Sequence, residues 1–237
     1  MTAQHDEARY VGEGLPHRSL QPGPIAVEPM QSEAFVDAVR AGGGDLQPLG
    51  EDTRGLVWLS EKRADELQAL LDQHPGIEWV QLPWAGVDAF SSVLAGLAQS
   101  DVSARPVVTS AKGAYSEPVA EHALALVLAC MRELPEKSRA ALWQPERTGL
   151  SLFGRHILLV GAGGVAQAFI DLVQPFSPEI TVVRRDASRP VAGATRTVGP
   201  EDWREGLGSV DAVVLAAAHT AGTAALFGAA ECEALPE

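Results

Sequence analysis

Apolar positions along this chain follow two rhythms that alternate. Short continuous runs at residues 25–27, 56–59, 77–82 and 107–110 have the look of buried strands, and residues 32–40 and 61–73 between them repeat at helical spacing. Phe35, Val36 and Val39 share one face of the first predicted helix, and Leu67, Leu70 and Leu71 one face of the second. Gly42, Gly43 and Gly44 close the first helix, and Ser60 is expected to cap the second. A shorter helix is predicted at 92–97. Strands that alternate with helices predict a small α/β domain with a mostly parallel sheet over residues 25–112. Residues 1–24 are polar, rich in Gly and Pro and without periodicity, and read as a mobile leader.

The second half, residues 113–237, starts with Ser116-Glu-Pro, where Ser116 is expected as an N-cap and Glu117 suits the positive end of the helix dipole. The helix predicted over 119–134 is apolar nearly all round. Both of its sides should therefore be covered, by a second domain or by another subunit, which makes a homodimer the expected assembly. A polar connector at 135–150 carries Trp143. Further strands follow at 156–160, 180–183, 195–198 and 210–218, with a brief helix near Trp203 and a last one over 224–233.

One stretch carries chemistry. The run His156-Ile-Leu-Leu-Val160 leads straight into Gly161-x-Gly163-x-x-Ala166, and helical spacing resumes at Phe169, Ile170 and Val173. Strand, glycine turn and helix in that order form a dinucleotide-binding fingerprint. Gly161 permits the tight turn, Gly163 lets the backbone approach a pyrophosphate, and Ala166 lets helix and strand pack closely. The helix N-terminus then offers free amides to that anion. After the next strand, roughly 20 residues past the glycines, an NAD site usually places an acid on the ribose 2′-hydroxyl. Here Arg184 and Arg185 stand instead. A carboxylate repels a 2′-phosphate and a guanidinium holds one, so NADP is the expected cofactor, with NAD as the alternative.

Composition narrows the partners. Of 237 residues, 46% are hydrophobic and 21% charged, and the net charge is −13, which argues against a nucleic-acid or anionic-membrane surface. The 2 cysteines, Cys130 and Cys232, have no motif spacing, and the N-terminus has no signal-peptide pattern. The longest apolar run is too short to span a bilayer. The expected location is cytoplasmic.

In this order, the pieces resemble the NAD(P)-binding D-isomer-specific 2-hydroxyacid dehydrogenases, a family that includes glyoxylate and hydroxypyruvate reductases. Trp79-Val-Gln-Leu-Pro-Trp-Ala-Gly-Val-Asp88 is similar to the family's substrate loop, and Ser116-Glu-Pro-Val-Ala-Glu-His-Ala123 to its interdomain helix. Phe153 to Ala166 resembles its cofactor turn, and Asp211 to Gly228 the strand and loop beside the nicotinamide. The resemblance implies a two-domain α/β protein, a flavodoxin-like substrate domain followed by a Rossmann domain. It also implies hydride transfer between NADP(H) and a small 2-keto or 2-hydroxy acid. Trp84, Ala85, Gly86 and Val87 would bind the substrate carboxylate through backbone amides, as a glycine-containing turn after a strand end is suited to do. Gly161, Gly163, Gly164, Val165 and Ala166 would hold the cofactor with Arg184 and Arg185, and Thr220 would line its cleft.

The departure is catalytic. The family's arginine, glutamate and histidine lie C-terminal to the fourth strand of the second domain, and the chain stops before that segment. His219 follows the strand without a partner in view, His122 and Glu121 are helix neighbours that do not face each other, and His156 opens a buried strand. The expectation is therefore an incomplete Rossmann domain with no catalytic residue, and an enzyme inactive or impaired as this chain. A non-catalytic NADP(H)-binding protein and a disrupted-gene fragment stand as alternatives.

Overall fold

The structure, a computed structural model, describes residues 19–143, 145, 148–220 and 222–236. Residues 1–18 of the expected leader lie outside the described residues. The chain forms two compact units, Met1–Ala114 and Tyr115–Glu237.

In the first unit, β1 (Ile25–Glu28), α1 (Glu33–Ala41), β2 (Gly55–Trp58), α2 (Ala64–Gln73), β3 (Trp79–Gln81), α3 (Ser91–Gln99) and β4 (Val107–Thr109) alternate as their periodicity predicts. The four strands pair in parallel in the order β1-β2-β3-β4. On the other side of β1, Ile25 donates to the Asp45 carbonyl at 2.8 Å and accepts from Gln47 at 3.0 Å, so Leu46 bridges in parallel. With that bridge counted as the second strand, the spatial order is 2-1-3-4-5, the flavodoxin-like arrangement. Leu56, Leu67, Ile77, Val80, Leu82 and Phe90 fill the core on one face of the sheet, and Val27, Val36 and Val57 that on the other.

Two local expectations fail here. Phe35 is exposed, because on the short α1 only Val36 is fully buried. Ser60 does not cap α2, whose N-cap is Arg63 with no side-chain bond; the chain stays irregular after β2, and the Ser60 carbonyl accepts the Trp58 indole N–H at 2.7 Å.

The second unit contains α4 (Ser116–Met131), α5 (Leu134–Lys137), β5 (His156–Val160), α6 (Gly164–Val173), β6 (Glu179–Val183), β7 (Arg196–Val198), β8 (Ala212–Leu215) and α7 (Ala229–Glu233). Its strands are parallel in the order β7-β6-β5-β8, which by chain position is 3-2-1-4, the first four places of a Rossmann sheet. Strand alternation sends Ile157 and Leu159 into a core under α4 and α6 with Phe169, Ile170 and Val173. Leu158 and Val160 face the opposite core with Trp203, Leu207 and Val210. β5 is thus buried on both faces, which is why it reads as an unbroken apolar run.

The long helix departs from its expected form. Ser116 lies inside the first turn, the N-cap is Tyr115, and the helix ends at Met131, where Glu133 takes a left-handed φ of 53°. Ala120, Val127 and Met131 are buried, while the opposite side leaves Val119 and Leu126 exposed at 46% and 53%. One side of α4 is covered within its unit. The following excursion is closed at its base: Leu150 donates to the Met131 carbonyl at 2.6 Å, and Lys137 Nζ to the Thr148 carbonyl at 2.8 Å.

The C-terminal helix is shorter than expected. Residues 222–225 form turns, and Ala225 at φ 53° breaks the helical run before α7. Arg204 ties α7 down through Glu231 at 2.8 Å and lies over the Trp203 ring at 4.4 Å.

Candidate functional site

At the carboxyl end of β5 the chain turns at Gly161, whose φ is +115°. A Cβ there would lie 2.7 Å from the carbonyl carbon and oxygen of Ala216 and 2.8 Å from the Ala217 nitrogen. Only glycine allows both the left-handed backbone and this approach of the segment after β8. That approach also explains why β8 ends at Leu215 rather than continuing to residue 218.

Gly163 is the N-cap of α6, with φ −89° and ψ −171°. No atom lies within 4 Å of the Cβ it lacks, so open ground stands before the helix N-terminus. Gln167 is the first residue to bond back, to the Gly163 carbonyl at 3.0 Å. The amides of Gly164, Val165 and Ala166 belong to the turn that has no intrahelical acceptor. These donors, with the positive dipole end, suit a pyrophosphate. Ala166 is fully buried in the core under α6, and Val165 packs beside that core. A Cβ on Gly164 would meet the Ser116 hydroxyl oxygen at 2.4 Å. Here, then, α4 comes close to the start of α6, a role for Ser116 that its expected capping duty hid.

Beyond β6, Arg184 keeps strand pairing through its amide, which donates to the Val198 carbonyl at 3.0 Å. Its guanidinium Nη1 donates to the Arg189 carbonyl, also at 3.0 Å, which closes the loop from Arg184 to Arg189. Inside it, Asp186 Oδ1 accepts from the Ser188 hydroxyl at 2.5 Å and the Ser188 amide at 3.1 Å. The Ser188 hydroxyl holds the Asp186 carboxyl below the usual carboxylate range, with help from the Ser188 amide and the charges of Arg184 and Arg189. Sequence reasoning stopped at Arg184 and Arg185. The structure adds Ser188 and Arg189, and the Asp-x-Ser spacing, an Asx-turn signature, was the available signal. Three guanidinium groups and a hydroxyl therefore sit on one folded loop with a single carboxylate that is already engaged.

Thr220 belongs to a compact turn after β8. Its amide donates to Thr223 Oγ1 at 2.8 Å, and Thr223 Oγ1 donates to the Ala218 carbonyl at 2.6 Å. The histidines do not make an acid–base pair. His156 Nδ1 lies 3.0 Å from the Ser209 carbonyl, so it must carry the proton there. Nε2 then accepts from Thr181 Oγ1 at 2.9 Å, at the amino end of β5 and away from the glycine turn. His122 and His219 are exposed. Among the described residues no histidine is bonded to a carboxylate, and no cluster has the makings of a metal centre.

In the first unit, Trp84, Ala85, Gly86 and Val87 follow β3 through Pro83. The Trp84 carbonyl accepts the Ala111 amide at 3.1 Å, and its indole N–H donates to Glu61 Oε2 at 3.2 Å. Glu61 lies in the loop after β2 and Ala111 in the segment after β4. Three strand-end segments are thereby joined on the carboxyl edge of the sheet, where open α/β folds bind ligands. The Glu61 carboxyl is held below its usual range by a backbone hydrogen bond first and by the Trp84 indole second. Ala85 and Gly86 are exposed, and a Cβ on Gly86 would lie 3.1 Å from Asp88 Oδ1.

Residues 124–237 match the D-isomer specific 2-hydroxyacid dehydrogenase, NAD binding domain family. No curated protein matches the chain. Among solved structures, the chain is similar to a D-isomer specific 2-hydroxyacid dehydrogenase from Xanthobacter autotrophicus Py2 in complex with NADPH and MES. The TM-score is 0.71 at 19% identity, over 91% of this chain and 70% of that one. A family protein from Aeromonas salmonicida subsp. salmonicida gives 0.67 at 20% identity, over 86% of this chain and 66% of that one. A glyoxylate reductase from Paecilomyes thermophila gives 0.65 at 17% identity, over 91% of this chain and 71% of that one. At these identities the likeness speaks for the fold, and the chain spans about two thirds of the length of the proteins it resembles.

Proposed function

We propose that the chain belongs to the D-isomer specific 2-hydroxyacid dehydrogenase family, whose NAD binding domain residues 124–237 match, and that it binds NADP(H) in preference to NAD(H) and takes a small 2-keto or 2-hydroxy acid. The observation that carries the cofactor preference is the loop from Arg184 to Arg189. Arg184, Arg185 and Arg189 supply the charge for a 2′-phosphate, and the one carboxylate on the loop, Asp186, is already engaged by Ser188. Gly161, Gly163 and the start of α6 would hold the pyrophosphate, and Thr220 would border the cleft. When bound, the nicotinamide supplies the hydride. The amides of Ala85, Gly86 and Val87 would orient the carboxylate of the keto acid.

A second reading is binding without turnover. It is favoured by the lack, among the described residues, of a histidine bonded to a carboxylate, since a positioned acid commonly supplies about 10²–10⁴-fold in rate. We also propose a homodimer, supported by the exposed Val119 and Leu126 on α4. A cytoplasmic setting fits the two free cysteines.

Fluorescence titration with NADPH and NADH tests the cofactor reading. NADPH is expected to bind at least ten-fold more tightly, with the margin lost in Arg184→Ala/Arg185→Ala. Equal affinities in the parent would refute it. Turnover of glyoxylate or hydroxypyruvate by the pure 237-residue protein then separates the two readings: ready turnover favours the enzyme, and binding with only a trace of it favours the second.

A further inference from the structure

We propose that Ser188 is a specificity-determining residue that acts through Asp186: by holding that carboxylate within the loop after β6, it keeps an acid from opposing a bound 2′-phosphate. The inference rests on the proposed NADP(H) preference and deepens it. Ser188 is thus a positioning residue, and Asp186 is the group it positions.

The loop carries a conflict that its arginines alone do not resolve. An acid after the second strand of a Rossmann unit marks a site for NAD, because its carboxylate accepts from the ribose 2′-hydroxyl. The same carboxylate repels a 2′-phosphate. Asp186 is an acid in this region, just past the end of β6 at Val183 and between Arg185 and Arg189 in sequence. Set loose, it would work against the three guanidinium groups that surround it in the chain.

The backbone and one hydroxyl keep it occupied. The Arg189 amide donates to the Asp186 carbonyl at 3.3 Å, so residues 186–189 close a tight turn. Across that turn Asp186 Oδ1 accepts from the Ser188 amide at 3.1 Å and from the Ser188 hydroxyl at 2.5 Å. Arg184 Nη1 donates to the Arg189 carbonyl at 3.0 Å and ties the far end of the turn to the end of the strand. Asp186 and Ser188 are both exposed, so these bonds rather than burial set the position of the carboxylate. Of the two donors on Ser188 the hydroxyl is the nearer, and it is the chief cause of the lowered Asp186 pKa. Any residue but proline would bring the amide; the hydroxyl is what serine adds. The side chain at 188 therefore decides how firmly the acid is held.

The test is fluorescence titration of the full chain with NADPH and with NADH, in the parent and in three variants. Ser188→Ala should weaken NADPH and strengthen NADH, lowering the preference by about three- to ten-fold, the range for one hydrogen bond. Ser188→Thr keeps the hydroxyl and should stay near the parent. Ser188→Ala/Asp186→Asn should regain the parent's preference, because the released group no longer carries charge. An unchanged ratio in Ser188→Ala overturns the proposal and leaves the NADP(H) preference standing. So does a Ser188→Ala variant that loses NADPH affinity without gaining any for NADH and is not rescued by Asp186→Asn, since Ser188 would then be a direct donor to the phosphate. Equal affinities in the parent overturn the NADP(H) preference, and the role of Ser188 with it.

Discussion

Gly161 and Gly163, in the turn after β5, are alike in sequence and opposite in what they do, so alanine at each should separate folding from binding. At Gly161 a methyl group would be driven to 2.7 Å from the Ala216 carbonyl at a φ of +115°. The obstructing atoms are backbone, so relief requires β8 or the turn itself to move. Left-handed strain of about 1–3 kcal/mol and overpacking of about 1–3 kcal/mol add to roughly 2–6 kcal/mol, a large part of a domain's stability. At Gly163 the φ of −89° is open to any residue, and nothing lies within 4 Å of the new methyl. Its stability cost is confined to a poorer N-cap, about 1 kcal/mol or less. The same methyl would stand where the pyrophosphate must approach α6. Urea denaturation and NADPH titration of both variants decide the matter. Gly161→Ala should unfold at markedly lower urea, and Gly163→Ala should unfold near the parent yet lose most of its NADPH affinity. NADPH affinity in Gly163→Ala equal to the parent's would refute this account of the turn, as would parent-like stability in Gly161→Ala.

Three further outcomes follow from packing and charge. Phe169→Ala removes a ring that is fully buried under α4 and α6, and should lower unfolding free energy by about 3–5 kcal/mol; a loss under about 1 kcal/mol would contradict that burial. β8 is an edge of the four-strand sheet, with Leu215 exposed at 57% and Val214 buried. Sedimentation of the 237-residue chain should therefore show self-association that Leu215→Lys reduces, whereas Val214→Lys unfolds the domain; a monodisperse parent would remove the argument. Glu231 has its pKa lowered chiefly by the Arg204 guanidinium, so its contribution is fully present above the unfolded value of about 4.3 and is lost as pH falls through the lower native value. Amide exchange in α7 should accelerate over that acidic window, and an equal acceleration in Glu231→Gln would exclude this carboxylate as the cause.

Much of the architecture was legible because strands buried on both faces announce themselves. β5, β6 and the core of α6 were all read from continuous or helically spaced apolar residues, and the glycine turn between them from spacing alone. What stayed hidden depended on neighbours distant in sequence. Ser116 has the look of a cap, and nothing local tells that its hydroxyl meets Gly164 on another helix. Ser60 fails as a cap because the chain remains irregular as far as Arg63. The strand after residue 210 ends early because its backbone passes Gly161, and the last helix shrinks because Ala225 adopts a left-handed conformation. Leu46 is a single bridge, too short to read as a strand, yet it decides the order of the first sheet. In the candidate site, Arg184 and Arg185 were visible as substitutions at an expected position, while the folded loop with Ser188 and Arg189 came from a side-chain turn.

The closed base between Met131 and Leu150 sets what evolution or an engineer could do with the segment it encloses. The Leu150 amide and the Lys137 ammonium fasten the two ends of this segment to the α4–β5 frame. Lengthening a loop whose ends are already held costs little, about 0.6 kcal/mol for each doubling. The segment can thus accept an inserted peptide tag, a reporter or a shortened linker while the sheet and glycine turn keep their register. Lys137, whose ammonium fastens the base, and Gly149, at φ 82° and with the Met131 carbonyl 2.9 Å from its missing Cβ, are positions that any such graft must preserve.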